Sequence, residues 1–154
     1  VVFKIGHQQY CVNILKVKEI YKTQETVVLP NKPSFVEGVI NLRGDVLCII
    51  NLAKKLNTMS LVDMKNQKVI IVEIDSIPVG FLVDEVVGIK HIDDATIDST
   101  PKVVANEGDF VDSIVKTEDS MIISIDLERV LNINELKALD VLKDLPEANQ
   151  ETLF

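Results

Sequence analysis

Val1-Val2-Phe3-Lys4-Ile5-Gly6-His7-Gln8-Gln9-Tyr10-Cys11-Val12-Asn13-Ile14 opens the chain, and its reading sets the fold. Val1 to Ile5 alternates with period two, Gly6 to Gln9 supplies turn residues, and Tyr10, Val12 and Ile14 alternate again, so the stretch predicts a β-hairpin. Ile14, Val17 and Ile20 then recur every three residues, which fits one turn of helix or a twisted strand end. The pattern returns 69 residues later. Val1, Val2, Phe3, Ile5, Tyr10, Val12, Ile14, Val17 and Ile20 fall on Ile70, Ile71, Val72, Ile74, Val79, Phe81, Val83, Val86 and Ile89, apolar on apolar without a gap. At a shift of 75, Phe35-Val36-Glu37 falls on Phe110-Val111-Asp112, Asn51-Leu52 on Asp126-Leu127, and Lys54 and Leu56 on Arg129 and Leu131. A single chosen shift can align any two alternating regions. Two long blocks in the same order favour an internal duplication.

Three more hairpins follow from the same reasoning. Phe35 to Ile40 and Val46 to Leu52 flank a turn over Asn41-Leu42-Arg43-Gly44-Asp45; Lys68 to Ile74 and Val79 to Val83 flank Asp75 to Pro78; Val111 to Val115 and Met121 to Leu127 flank Thr117 to Ser120. Leu29 to Ser34, Asn57 to Gln67 and Asp93 to Asp109 read as polar or irregular. The chain is therefore expected to be all-β, with pseudo-repeats over roughly 1–56 and 70–131, each of about five short strands, the size of a small closed barrel. Closure removes sticky edges, and halves this small need a shared apolar seam. Ile133, Leu136, Leu139 and Leu142 predict a C-terminal helix capped at Asn132 or Asn134 and stopped by Pro146, so residues 132–154 are expected to form a helix and tail.

Composition narrows the function. The 154 residues are 47% hydrophobic and carry a net charge of −8, with a pI near 4.7 and a mean hydropathy of +0.22. This excludes a disordered tail. An acidic surface repels phosphate backbones and anionic lipid, so neither nucleic acid nor membrane insertion is expected. No apolar run approaches the ~18 residues needed to span a bilayer. Cys11 and Cys48 lie in apolar runs, which predicts buried, reduced thiols and a cytoplasmic location. Val1 stands where a Met would begin a reading frame, so an upstream segment is expected.

The inventory for catalysis is thin. His7 and His91 have no Cys or second His at metal-ligand spacing and read as surface histidines. Asp84 and Glu85 are neighbours on a strand, point to opposite faces, and read as solvated rather than catalytic. No calcium loop or Gly-rich phosphate loop is present, so no cofactor or metal is expected. Arg43 stands out: it places a planar, five-donor guanidinium at a tight turn between apolar strands. It is either a plain turn residue or salt-bridge partner of a neighbour such as Glu19, or a partner-docking arginine.

These stretches resemble a known family. Gly6 to Ile20 resembles the opening hairpin of the CheW-type chemotaxis coupling proteins; Pro30 to Gly44 (PNKPSFVEGVINLRG), Val79 to Val86 (VGFLVDEV) and Ser124 to Leu131 (SIDLERVL) are similar to further motifs of that family, in order from Val2 to about Leu142. The resemblance implies two five-stranded SH3-like barrels sharing an apolar core, and a CheW-like domain over 1–131 with strands interleaved between barrels. It also implies a non-catalytic adaptor, monomeric when free and cytoplasmic. This adaptor couples the cytoplasmic tips of methyl-accepting chemoreceptors to the histidine kinase CheA in membrane-associated arrays. By position, Arg43, Gly44, Val17 and Glu19 would bind the receptor, and Gly38 and Asn41 would shape the turn and its approach. Cys48, Asn51 and Ala53 depart from the family's usual Pro, Asp and Arg, and a glycine usually stands near Asp112-Ser113. Three alternatives remain open: the coupling-like regulatory domain of the kinase itself, the coupling portion of a protein carrying a receiver domain, and an enzyme using Asp84, Glu85 or Asp126. The helix and short tail favour a stand-alone chain.

Overall fold

A computed structural model of the chain describes residues 1–23, 26–30, 32–92, 97–99, 110–117 and 120–131. The expected helix and tail over 132–154 lie outside the described residues. Strands β1 (Val2–Ile5) and β2 (Gln8–Cys11) form the opening hairpin, with Gly6 at φ +61° in its two-residue turn. Both readings of Ile14, Val17 and Ile20 prove correct in succession. A 3₁₀ turn over Ile14–Lys16 is capped by the Asn13 side chain, which accepts from Leu15 N–H, and it runs directly into β3 (Val17–Lys22). Next come β4 (Val36–Leu42), β5 (Asp45–Asn51), helix α1 (Leu52–Lys55), β6 (Lys68–Ile74), β7 (Ile77–Val83) and β8 (Glu85–Gly88). Then follow β9 (Ile97–Ser99), β10 (Val111–Lys116), β11 (Met121–Ile125) and helix α2 (Leu127–Val130).

The strands make two sheets, ordered β3-β6-β7-β5-β4 and β8-β1-β2-β11-β10-β9. The shift of 69 carries β1, β2 and β3 onto β6, β7 and β8, and the shift of 75 carries β4 and β5 onto β10 and β11. Applied to the first order, these correspondences reproduce the second, apart from β9. Register agrees as well. Cys48 lies opposite Val79 in the parallel pair β5/β7, and its counterpart Ile123 lies opposite Tyr10 in β11/β2. Bulges fall at Val36/Gly38 and at the matching Val111/Ser113. Each sheet therefore combines strands from both pseudo-repeats, β3, β4 and β5 with β6 and β7 in the first, and β1 and β2 with β8, β10 and β11 in the second. The second sheet has six strands because Ile97–Ser99, in a stretch whose side chains suggest no strand, pairs with β10.

Period-two alternation divides the apolar residues into three cores. Ile40, Leu47, Ile49, Val69, Ile71 and Leu82 fill the five-stranded sheet, while Val2, Cys11, Val115 and Ile122 fill the six-stranded one. The opposite faces, including Phe3, Val36, Ile50, Ile70, Phe81 and Ile125, pack into a common core between the sheets. At about 25 cal/mol per Å² of apolar area buried, this seam is the main cohesive force joining the halves.

Candidate functional site

The β4–β5 hairpin has a two-residue turn, Arg43-Gly44, with φ at +52° and +89°. This is the primed geometry whose twist matches the flanking strands. Gly44 adopts it freely; for Arg43 it is strained, so the side chain is held at the tip by its contacts. Asn41 Oδ1 accepts the Gly44 N–H at 3.0 Å and closes the turn. The guanidinium reaches β3, at the other edge of the same sheet, so the sheet curls until its edges approach. There Nη2 donates to both carboxylate oxygens of Glu19, with Oε2 at 2.6 Å, and to the Tyr21 hydroxyl at 2.6 Å. The Arg43 side chain is 66% exposed and that of Glu19 32%. An exposed pair adds little to stability; its consequence here is a fixed direction for Arg43. The hydrogen bond from Arg43 holds the Glu19 carboxyl below the usual carboxylate range, and the same bond raises Arg43.

One cleft borders this ion pair, and a second adjoins it through Lys18. One, of about 80 Å³, is lined by Leu42, Leu47, Ile71 and Pro78, with Lys18 and Asp45 beside Arg43 and Glu19. The other, of about 390 Å³, lies where the two sheets meet: Leu15, Val17 and Lys18 face Glu73 and Glu128 across it. Ion pairs Lys16–Glu128 (3.3 Å) and Lys18–Glu73 (3.6 Å) span it. Leu15 beside them is 87% exposed. Lys18 lines both clefts. The structure thus brings Val17, Glu19, Asn41, Arg43 and Gly44 to one region of the surface.

Gly38 is not in that region. It is buried in β4 at the bulge, with φ +148°, and a Cβ there would sit 2.1 Å from the carbonyl oxygen of Val27. Its hydrogen is what lets the Val27 segment bridge to Val39 along the β4 edge. Gly38 therefore shapes the far end of β4 rather than the Arg43 turn, a correction to the sequence-based expectation.

A second correction concerns Asp84, which is 4% exposed rather than solvated. Its Oδ2 accepts the N–H of Gly6 (2.8 Å) and of Leu61 (3.0 Å); its Oδ1 accepts from Ser60 Oγ and from Gln67 Nε2 (3.1 Å). Burial alone would raise this carboxyl, but the donors outweigh it and hold it below the usual carboxylate range. Glu85 points to the opposite side and is exposed. Asp126 caps α2 through Glu128 N–H and pairs with Arg129 at 3.3 Å. Asp84 and Asp126 thus hold separate structural positions, and Glu85 faces away from Asp84. His7 and His91 are exposed, and Cys11 and Cys48 are buried and in no disulfide, in line with the sequence reading.

Residues 1–135 match the family model described as a CheW-like domain. The chain belongs to the CheW-like family. It is 35% identical to a probable chemotaxis protein CheW of Rhizobium etli over 139 residues, 90% of each chain. It is 32% identical to the chemotaxis protein CheW of Bacillus subtilis, covering 86% of this chain and 85% of that one. A solved structure, the scaffolding protein TtCheW from Thermoanaerobacter tengcongensis, superposes with a TM-score of 0.78 at 35% identity over 88% of each chain. Within this CheW-like frame, Asn51 caps α1: its Oδ1 accepts from Lys54 N–H, while its Nδ2 donates to Glu37 at 2.8 Å. Tyr21 and the Asp84 network were not singled out from sequence. Tyr21 lies two residues after Glu19, hence on the same strand face, and that spacing was the available signal.

Proposed function

We propose that this chain is a non-catalytic adaptor coupling methyl-accepting chemoreceptors to the histidine kinase CheA, in cytoplasmic arrays beneath the membrane. The observation that carries the reading is Arg43, held by Glu19 and Tyr21 beside the apolar-lined cleft of about 80 Å³, which Lys18 connects to the larger cleft edged by Leu15 and Val17. Arginine next to apolar sockets is the usual composition of an interface hot spot. A receptor tip is a helical hairpin, and a groove edged by Leu15 and Val17 suits the helix-in-groove mode. Arg43, Gly44, Val17 and Glu19 would contact the receptor, and Asn41 would support the turn. Among the described residues no helix is long and apolar enough to cross a membrane. We also assign 1–131 to one domain of two pseudo-repeats with exchanged strands; matching strand order and register in the two sheets support this division. Weak individual contacts suffice, because an array multiplies them through effective concentration. The test is the affinity of a soluble receptor-tip fragment. Arg43→Ala should weaken it ~30-fold, the scale of a hot spot; a change below ~2-fold would reduce Arg43 to a turn residue.

A further inference from the structure

The Arg43 guanidinium has a third partner besides the Glu19 carboxylate oxygens. Tyr21 stands on the same face of β3 as Glu19, and its ring packs against the interior of the five-stranded sheet together with Leu42, the residue preceding Arg43. Its hydroxyl takes the Nη2 donor at 2.6 Å and also hydrogen-bonds Glu19. The guanidinium carbon lies 5.7 Å from the ring centroid, within cation–π range. Arg43, Glu19 and Tyr21 thus form a closed triangle of polar contacts, one corner of which is anchored in packed core. A long arginine bound only to an exposed glutamate would lose its orientation readily, since such pairs barely offset side-chain entropy. The tyrosine, rigid at two torsions and fixed at both ends, acts as a strut. Burial and the Glu19 carboxylate both raise the phenol pKa, so it stays neutral and keeps its donor proton.

We infer that Tyr21 is a positioning residue: its hydroxyl sets the direction in which Arg43 is presented to a docking partner, and so helps determine which partners fit. This rests on the docking role proposed for Arg43. Tyr21→Phe is the informative variant because it keeps the ring, its packing and its strand preference and removes only the hydroxyl.

Affinity for a soluble chemoreceptor hairpin-tip fragment, measured for the full chain, should fall about five- to tenfold in Tyr21→Phe, the net worth of one ordinary hydrogen bond, with the thermal midpoint unchanged. In an Arg43→Ala background the same change should have no effect beyond twofold, because the group it positions is gone. In the free protein, nitrogen NMR of the Arg43 guanidinium should show slowed Nη proton exchange that Tyr21→Phe abolishes. If Arg43→Ala weakens binding while Tyr21→Phe does not, or the two effects add, the positioning role is wrong and the docking reading stands. If Arg43→Ala leaves binding unchanged, the docking reading fails and the role fails with it. Unaltered guanidinium exchange in Tyr21→Phe would overturn the role without reference to any partner.

Discussion

Replacing Asp84 by alanine withdraws the acceptor from four donors at once. Ser60 Oγ and Gln67 Nε2 retain another partner in the Val62 carbonyl, each at 3.2 Å. The N–H groups of Gly6 and Leu61 bond the carboxylate, and alanine offers them nothing. A buried donor left unpaired costs roughly 1–3 kcal/mol; these two are part-buried, so Asp84→Ala should lose about 2–4 kcal/mol, a large part of the 5–15 kcal/mol typical of a whole domain. Asp84→Asn should lose less, about 1–3 kcal/mol, because its Oδ1 can face the two backbone donors. The carboxyl has a folded pKa below its unfolded value. Its contribution is therefore complete above an unfolded pKa of about 3.9 and fades as pH falls through that value toward the lower folded one. Urea unfolding followed by far-UV circular dichroism, repeated from about pH 6 down to 2, reads both effects. The wild type should lose stability on acidification more steeply than Asp84→Asn. A loss below ~0.5 kcal/mol in Asp84→Ala, within the range of ordinary surface substitutions, or equal acid limbs, would refute the buried-hub reasoning.

Gly38→Ala forces a Cβ to 2.1 Å from the Val27 carbonyl oxygen at φ +148° and should cost about 2–4 kcal/mol by the same assay; a neutral result would mean that the Val27 bridge to Val39 forms differently. Asn51→Asp restores the residue usual in the family but sets a second carboxylate against Glu37 Oε1, which now accepts from Asn51 at 2.8 Å. It should cost about 1–2 kcal/mol at pH 7, and lowering the pH to about 5 should recover part of that, since the crowded pair takes up a proton above the range of a lone glutamate. A pH-independent cost would show that the loss is one of hydrogen-bond geometry alone.

Much of the architecture was legible because burial on two faces leaves a mark in the sequence. β6 and β7 are apolar on both faces, one turned to a sheet interior and the other to the shared core, so their runs stand out and can be matched to β1 and β2 across 69 residues. β9 leaves no such mark: it is three residues long and lies at a sheet edge, held by backbone pairing with β10. Asp84 was misread for a related reason. Alternation shows that Asp84 and Glu85 face opposite ways but not which faces the core, and its donors come from Gly6, Ser60, Leu61 and Gln67, 17 to 78 residues away. Arg43 and Glu19 were both named from sequence, yet only the curl of the sheet shows that Tyr21 closes the triangle.

Co-sedimentation with receptor-bearing vesicles is the most direct measurement of coupling. Purified CheA, the chain and vesicles carrying a methyl-accepting chemoreceptor are mixed, and kinase in the pellet is quantified with and without the chain. Kinase should pellet in proportion to added chain, and Arg43→Ala should abolish the increase. Kinase that pellets equally well without the chain, or stays in solution at saturating chain, would contradict an adaptor role.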